Sequence, residues 1–141
     1  MLKRDFPDAV FVVNGKVGTV AEAKALIDSG LDGVMMGRAA YQTPWLLTEV
    51  DEAIYGEAPS TVTRLDAVRG MTAYLKANFA GSEPALRAVA RHMNGLCQGL
   101  PGARVWRRTL ADPKAIKEKG SALLLYAWEQ AFGGRSEEEE S

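Results

Sequence analysis

The sequence is poor in the residues on which metal and disulfide chemistry depend. It contains one cysteine, Cys97, and one histidine, His92, so it offers neither a disulfide framework nor a set of zinc ligands. No apolar run approaches the length of about 20 residues that spans a bilayer, and the first residues show no cleavable leader pattern. These absences favour a cytoplasmic protein without a metal site or a membrane segment.

The composition that is present suits an ordinary folded chain. Its 141 residues are 47% hydrophobic and 25% charged, which is enough for one domain or two small ones. The net charge of −1 conceals an uneven distribution: residues 64–119 hold eleven basic and four acidic side chains, whereas the flanking segments are both acidic. A basic centre predicts a surface that faces a polyanion. A solvated helical face is the simpler alternative.

The first 56 residues alternate strand and helix. Residues 9–13, AVFVV, predict a strand buried on both sides of a parallel sheet, and a turn comes next at Asn14-Gly15. Thr19 and Glu22 have the spacing of a capping box, so a helix is expected directly after them. Residues 33–36 predict a second buried strand. This order indicates β/α units of a parallel sheet.

The second β/α unit is expected to close with a longer helix. A brief loop follows the second strand, and Thr43 then serves as N-cap with Pro44 at the first helical position. The helix is expected to run to Gly56. Two parallel strands alone leave their faces and edges uncovered, so residues 1–56 are interpreted as part of a larger α/β domain.

The rest of the chain is predicted to be helical. Residues 57–63, EAPSTVT, form a linker by composition, and residues 64–132 come after it as an all-α domain. Ser82 and Asp112 are the expected N-caps of two of its helices. Its helices are expected at residues 64–79, 84–96, 103–110 and 113–132. Residues 133–141 are an acidic tail that is expected to be disordered.

Two short loops come after the predicted strands, at the edge where ligands bind in parallel α/β folds. Asn14-Gly15-Lys16 follows the first strand, and Gly37-Arg38 follows the second. Glycine lets backbone approach a ligand, N–H groups at a helix start point towards an anion, and the basic side chains add charge. Together the loops predict a phosphate site, although no G-x-G-x-x-G fingerprint follows either strand. For one loop alone, turn glycines and an ion-paired arginine would be the simpler interpretation.

The helical part carries a dense group of arginines around the segment RHMNGLCQGLPGARVWRR. Guanidinium groups match phosphate oxygens, so this group predicts a surface that binds RNA. The intervening His92, Cys97 and Trp106 are more simply explained by packing than by chemistry, although the indole could stack on a base. The predicted RNA-binding residues are Arg87, Arg91, Arg104, Arg107 and Arg108.

Several segments together resemble the carboxyl-terminal part of the tRNA-dihydrouridine synthases, in particular the A-type or 20/20a subfamily. They occur in the order FPDAVFVVNG, TVAEAKA, LDGVMMGRAAYQTPWLLTEVDEAIYG, RHMNGL and QGLPGARVWRR. The resemblance extends over nearly the whole chain, to about Phe132. It implies the last two β/α units of a TIM (β/α)₈ barrel that binds FMN, followed by a small helical domain that docks tRNA.

The resemblance also implies roles for particular residues. Asn14 and Gly15 would lie in the flavin-side loop after strand seven, and Gly37 with Arg38 would hold the FMN phosphate after strand eight. The arginines of the helical domain would dock tRNA, and NADPH would recharge the flavin. The first six strands, with the catalytic cysteine and a flavin-contacting lysine, would belong to a barrel portion that precedes this chain, so the chain alone is expected to be inactive.

One position departs from the family pattern. Lys16 stands where members usually carry a second glycine, and a lysine at positive φ would be strained by about 1 kcal/mol. Two other hypotheses remain beside the synthase fragment. The chain could act alone as a non-catalytic RNA-binding helical module, or it could be part of an unrelated phosphate-binding barrel.

Overall fold

The computed structural model describes residues 2–133. The chain divides into two compact units, Met1–Ser60 and Thr61–Ser141. The acidic tail predicted from the sequence lies, from residue 134 onward, outside the described residues.

The first unit contains two parallel strands and several short helices. Its sheet pairs β1 (Val12–Asn14) with β2 (Gly33–Met35), with Val12 opposite Gly33 and Asn14 opposite Met35. The predicted order of strand, helix, strand and helix is confirmed. Its helices are α1 (Leu2–Asp5), α2 (Val20–Asp28), α3 (Gly37–Gln42), a 3₁₀ helix (Pro44–Glu49) and α4 (Val50–Tyr55).

The first strand differs from its prediction in position and in burial. Ala9 N–H donates to the Phe6 carbonyl at 3.2 Å in a turn, so extended pairing begins only near Phe11. Val10 is 78% exposed and Val12 is 59% exposed, where burial on both sides was expected. The reason is that no third strand occurs in the described part of the chain to cover them.

Local capping signals predicted α2 correctly but failed for the segment after β2. Glu22 N–H donates to the Thr19 hydroxyl at 3.1 Å, and the Glu22 carboxylate accepts from Thr19 N–H at 3.3 Å. Residues 37–42, expected to form a loop, are helical instead. Thr43 makes no side-chain cap, and the single helix expected after it begins as a 3₁₀ helix. In that segment the Thr48 hydroxyl donates to the Trp45 carbonyl at 2.8 Å, a bond that competes with regular α-helix.

The second unit is entirely helical over its described residues, apart from short connections. Ser82 and Asp112 cap helices as predicted, since their side chains accept from Ala85 N–H and Lys114 N–H. The helix expected over residues 113–132 is broken at Gly120, whose φ of +50° is incompatible with a right-handed helix. The elements are α5 (Arg64–Asn78), α6 (Glu83–Met93), a 3₁₀ helix (Asn94–Cys97), α7 (Ala103–Ala111), α8 (Pro113–Lys119), a 3₁₀ helix (Gly120–Ala122) and α9 (Leu123–Phe132).

The core of the helical unit is centred on Trp106. Its side chain is fully buried, its indole N–H donates to the Met93 carbonyl at 3.1 Å, and its ring meets that of Trp128 edge-on at 6.2 Å. The interpretation of Trp106 as a core anchor, rather than a stacking platform for a base, is therefore confirmed. Cys97 is also fully buried, as expected for a small apolar side chain.

An ion pair joins the start of the first unit to its sheet. Lys3 Nζ donates to the Asp32 carboxylate at 2.7 Å and to the Ala9 carbonyl at 2.8 Å, while Phe11 N–H donates to the same carboxylate at 2.8 Å. The hydrogen bond from Lys3 and that from Phe11 hold the pKa of Asp32 below its ordinary value of 3.8.

We expect this depressed pKa to make the start of the sheet sensitive to acid. The carboxylate stabilises the fold above pH 3.8, and that contribution is lost as the pH falls through the lower pKa of the folded state. A carboxyl-carbon NMR titration should give a midpoint below 3.8 for Asp32, and Lys3→Met should raise it. Lys24→Met, which removes a lysine paired with Asp28 instead, is the control. An unchanged midpoint in Lys3→Met would contradict this assignment.

Gly102, the residue before α7, lies close to the end of α9. Its φ is +107°, and a Cβ there would lie 2.7 Å from the Ala131 carbonyl oxygen and 2.9 Å from the Phe132 ring. Gly99 provides a matched comparison, because its φ is +87° but a Cβ would meet nothing within 4 Å. We expect Gly99→Ala to cost about 1 kcal/mol of backbone strain and Gly102→Ala to cost about 2 kcal/mol more from overpacking. Urea unfolding of both variants tests this, and equal losses would refute the close packing.

Candidate functional site

A cleft of about 380 Å³ in the first unit collects all five predicted phosphate-site residues. Because β1 and β2 are parallel and in register, the loop after Asn14 lies beside the loop after Met35. The remaining lining comes largely from α3. The cleft is lined by Asn14, Gly15, Lys16, Val17, Met35, Gly37, Arg38, Ala39, Tyr41 and Gln42.

The electrostatic character of this cleft is set by two cations. Lys16 and Arg38 are both exposed, and neither has an ion-pair partner among residues 2–133. Arg38 therefore does not pair with a carboxylate in the described part of the chain, although such a pair was the simpler interpretation of its loop. Two unpaired basic side chains over a glycine-containing loop can bind an anion, and an arginine suits phosphate in particular.

Lys16 has an unusual backbone. Its φ is +50°, and it is the one non-glycine residue with positive φ in the described part of the chain. Strain at Lys16 was expected if its φ were positive, and its φ is positive. A residue with a Cβ in this conformation has about 1 kcal/mol or more of backbone strain. The neighbouring Gly15 has open space around it, since a Cβ there would meet nothing within 4 Å.

Sequence reasoning missed Tyr41 and Gln42 as lining residues. Residues 37–42 were expected to form a loop, whereas helix α3 places positions three and four after Arg38 on the same face as Arg38. The signal was present, because an uninterrupted run of helix-compatible residues follows Gly37. These two side chains add a phenol and a carboxamide to the cleft.

The helical unit carries the predicted arginines on two neighbouring helices. Arg87 and Arg91 on α6 line a cleft of about 280 Å³, together with Asn94 from the following 3₁₀ helix. The Arg87 guanidinium is already engaged, since it lies 2.7 Å from the Glu83 carboxylate. Arg91 is exposed and has no ion-pair partner among the described residues.

The other three arginines lie on α7. Arg104, Arg107 and Arg108 are all exposed, and Arg107 donates to the Gln98 side-chain oxygen at 2.9 Å. Arg108 lines a second cleft of about 610 Å³ beside Tyr126. Lys119 Nζ lies 4.4 Å from the centroid of the Tyr126 ring. The two clefts adjoin at the end of α7, where Ala111 lines both.

The one histidine and the one cysteine of the chain differ in their exposure. His92 is exposed on α6, and Cys97 is buried. Over residues 2–133 no cluster of His, Cys, Asp and Glu could hold a metal ion. None of the helices described is long and apolar enough to cross a membrane.

A comparison with known protein families identifies the family of this chain. A family model described as dihydrouridine synthase (Dus) matches residues 1–132. The chain belongs to the dihydrouridine synthase family.

Individual relatives within the dihydrouridine synthase family are named tRNA-dihydrouridine(20/20a) synthase. The chain is 39% identical to that of Yersinia pestis over 140 residues, which is 94% of this chain and 40% of the relative. It is 40% identical to that of Pseudomonas putida over 130 residues, covering 87% of this chain and 38% of the relative. The chain is also 42% identical to that of Escherichia coli K12 over 111 residues, covering 79% of this chain and 32% of the relative. It thus spans 32% to 40% of the length of these relatives.

One further residue of this dihydrouridine synthase chain was not anticipated from the sequence. Arg64, the first residue of α5, is only 8% exposed, and its Nε donates to the Leu96 carbonyl at 3.1 Å. It thereby joins the start of α5 to the segment that precedes the arginines of α7. Arg64 thus has a structural role, whereas the basic surface of the helical unit consists of the exposed Arg87, Arg91, Arg104, Arg107 and Arg108.

Proposed function

We propose that this chain is the carboxyl-terminal part of an FMN-dependent tRNA-dihydrouridine synthase of the 20/20a type. In the full-length parent the enzyme would reduce D-loop uridine to 5,6-dihydrouridine with NADPH as reductant. The observation that carries the proposal is the cleft with two unpaired cations at the ends of two parallel strands, in a chain of this family. A tRNA substrate favours the cytoplasm as the place of action.

A surrounding barrel would explain why the sheet of the first unit exposes apolar side chains. Val10, Val12 and Met35 expose 78%, 59% and 49% of their surface, and β1 and β2 are the whole sheet of the described chain. Strands of this composition are normally covered on both faces and paired at both edges. Residues 1–56 would therefore be the last two β/α units of a (β/α)₈ barrel whose other strands cover these side chains.

The residues of the cleft fit the phosphate end of FMN. Arg38 and Lys16 would neutralise the phosphate, and the loop at Asn14 and Gly15 would let backbone approach it. When bound and reduced by NADPH, FMN would supply the hydride for reduction of the uracil C5=C6 bond. The residues of this chain bind and orient the cofactor, and no proton donor for the uracil is proposed among them, because Cys97 is buried in the helical unit. The chain by itself is therefore proposed to be inactive.

Residues 64–132 would dock the tRNA. Their segment up to residue 119 holds eleven basic and four acidic residues, and four of the five predicted arginines have no carboxylate partner in the described chain. Such side chains bind the phosphate backbone and position the RNA without reading its sequence. The same observations support a second candidate function, a stand-alone RNA-binding module that does not use FMN.

Substitutions of Lys16 test the cofactor site, because FMN binding and the stability of the fold should respond to them differently. We expect Lys16→Ala and Lys16→Gly both to weaken FMN binding about three- to tenfold, because each removes one exposed charge from the cleft. Only Lys16→Gly should relieve the backbone strain, and it should therefore be about 1 kcal/mol more stable than Lys16→Ala. Quenching of FMN fluorescence and urea unfolding measure the two effects.

Lys24→Ala is the matched control for this test, since Lys24 lies on α2 and pairs with Asp28 at 2.6 Å. FMN binding that is equally strong in all three variants would refute the cofactor site. If the unsubstituted chain binds tRNA but no FMN, the stand-alone RNA-binding module becomes the better proposal.

The arginines of α7 provide the test of the RNA surface. Arg107→Ala combined with Arg108→Ala should weaken tRNA binding and reduce the slope of log K against log salt by about 1 for each lost phosphate contact. Arg69→Ala combined with Lys76→Ala removes the same charge from α5 and should change the slope less. Fluorescence anisotropy with labelled tRNA at several salt concentrations measures both. Equal effects of the two pairs would show that net charge, and not this surface, drives binding.

A further inference from the structure

An unsatisfied oxygen lies at the edge of the basic surface. Asn94 Oδ1 is buried and accepts no hydrogen bond from any residue of the described chain. Asn94 also lines the cleft of about 280 Å³ that contains Arg87 and Arg91. A buried acceptor without a partner is uncommon in folded proteins, so this one requires an explanation.

The surrounding residues explain why no protein donor reaches this oxygen. The nearby indole N–H of Trp106 is used by the Met93 carbonyl, and the Arg87 guanidinium is paired with Glu83. The rest of the cleft is apolar and is supplied by Ala90, Leu110, Ala111 and Ile116. The guanidinium of Arg91 lines the same cleft but donates no hydrogen bond to this oxygen. A molecule that enters the cleft could supply the missing donor.

The chemistry of the cleft restricts what that molecule could be. Arg91 offers a free guanidinium three residues before Asn94, which places a phosphate-binding cation next to an oxygen that requires a donor. The ribose 2′-hydroxyl is such a donor, and it lies beside the phosphate on every RNA nucleotide. Base N–H groups fit less well, because their number and position depend on the base, whereas a 2′-hydroxyl lies beside every phosphate in both paired and unpaired RNA.

We propose that Asn94 and Arg91 form a site for the sugar-phosphate backbone of RNA, in which Asn94 Oδ1 accepts from a ribose 2′-hydroxyl while Arg91 binds the adjacent phosphate. The terminal amide torsion of asparagine has a broad energy minimum, so the carboxamide can turn into the cleft when RNA arrives. Asn94 would thus distinguish RNA from DNA, whereas the arginines of this surface would bind the phosphates of either nucleic acid. This inference rests on the proposed tRNA-binding function of the helical unit.

The test compares RNA and DNA hairpins of identical sequence, each labelled with a fluorophore, by anisotropy with the full 141-residue chain. We expect the unsubstituted chain to prefer RNA, and Asn94→Leu to reduce that preference about three- to tenfold, the size of one lost hydrogen bond. Asn94→Leu should leave the salt slope unchanged, because no charge is removed. Arg91→Gln should weaken both ligands and lower the slope for both.

Asn78→Leu is the matched control, since Asn78 lies on α5 and its amide donates to the Tyr74 carbonyl. Asn94→Leu should unfold at the same or a higher urea concentration, because it removes an unsatisfied buried acceptor. An RNA preference that survives Asn94→Leu would overturn this inference while leaving the proposed tRNA binding intact. A chain that binds no tRNA at any salt concentration would overturn the proposed function as well.

Discussion

The parallel register of β1 and β2 is the constraint on which the first unit depends. The pairing of Val12 with Gly33 and of Asn14 with Met35 fixes which loops become neighbours. Without that register the two cations of the cleft would belong to unrelated surface loops, and neither alone would favour an anion. The Asp32 carboxylate reinforces the start of the same pair, because it accepts hydrogen bonds from a lysine side chain and from a strand backbone. The cleft that Lys16 and Arg38 line is thus a product of sheet geometry and not of a single motif.

In the helical unit, a buried side chain of the core positions the basic residues. Trp106 places an indole against Trp128 inside the unit and leaves Arg104, Arg107 and Arg108 exposed on the same helix. The indole N–H also satisfies a carbonyl at the end of α6. One buried side chain therefore links the two arginine-bearing helices, while their charges stay in solvent.

Local signals in the sequence were sufficient for some features of the fold and insufficient for others. The capping box at Thr19 and the cap at Asp112 involve residues within three positions of each other, so they could be predicted. The burial of Arg64 depends on the Leu96 carbonyl, 32 positions away, and no local pattern encodes it. The exposure of the valines near β1 depends on strands that the described chain does not supply. The proximity of the segments after the two strands could be predicted, because it follows from the order of the strands. The presence of Tyr41 and Gln42 in the cleft could not, because it depends on α3, which was expected to be a loop.

The ion pair between Glu83 and Arg87 distinguishes Arg87 from Arg91 on the same helix. Arg87 lies 2.7 Å from the Glu83 carboxylate, so a phosphate that reaches it must displace another anion. Arg91, one helical turn later, requires no such exchange. On the proposed RNA-binding surface, Arg87 and Arg91 would then differ in their affinity for phosphate. Contact with RNA would begin at Arg91. On the proposed RNA-binding surface, Glu83 would compete with phosphate for Arg87 and leave the charge of Arg91 unchanged.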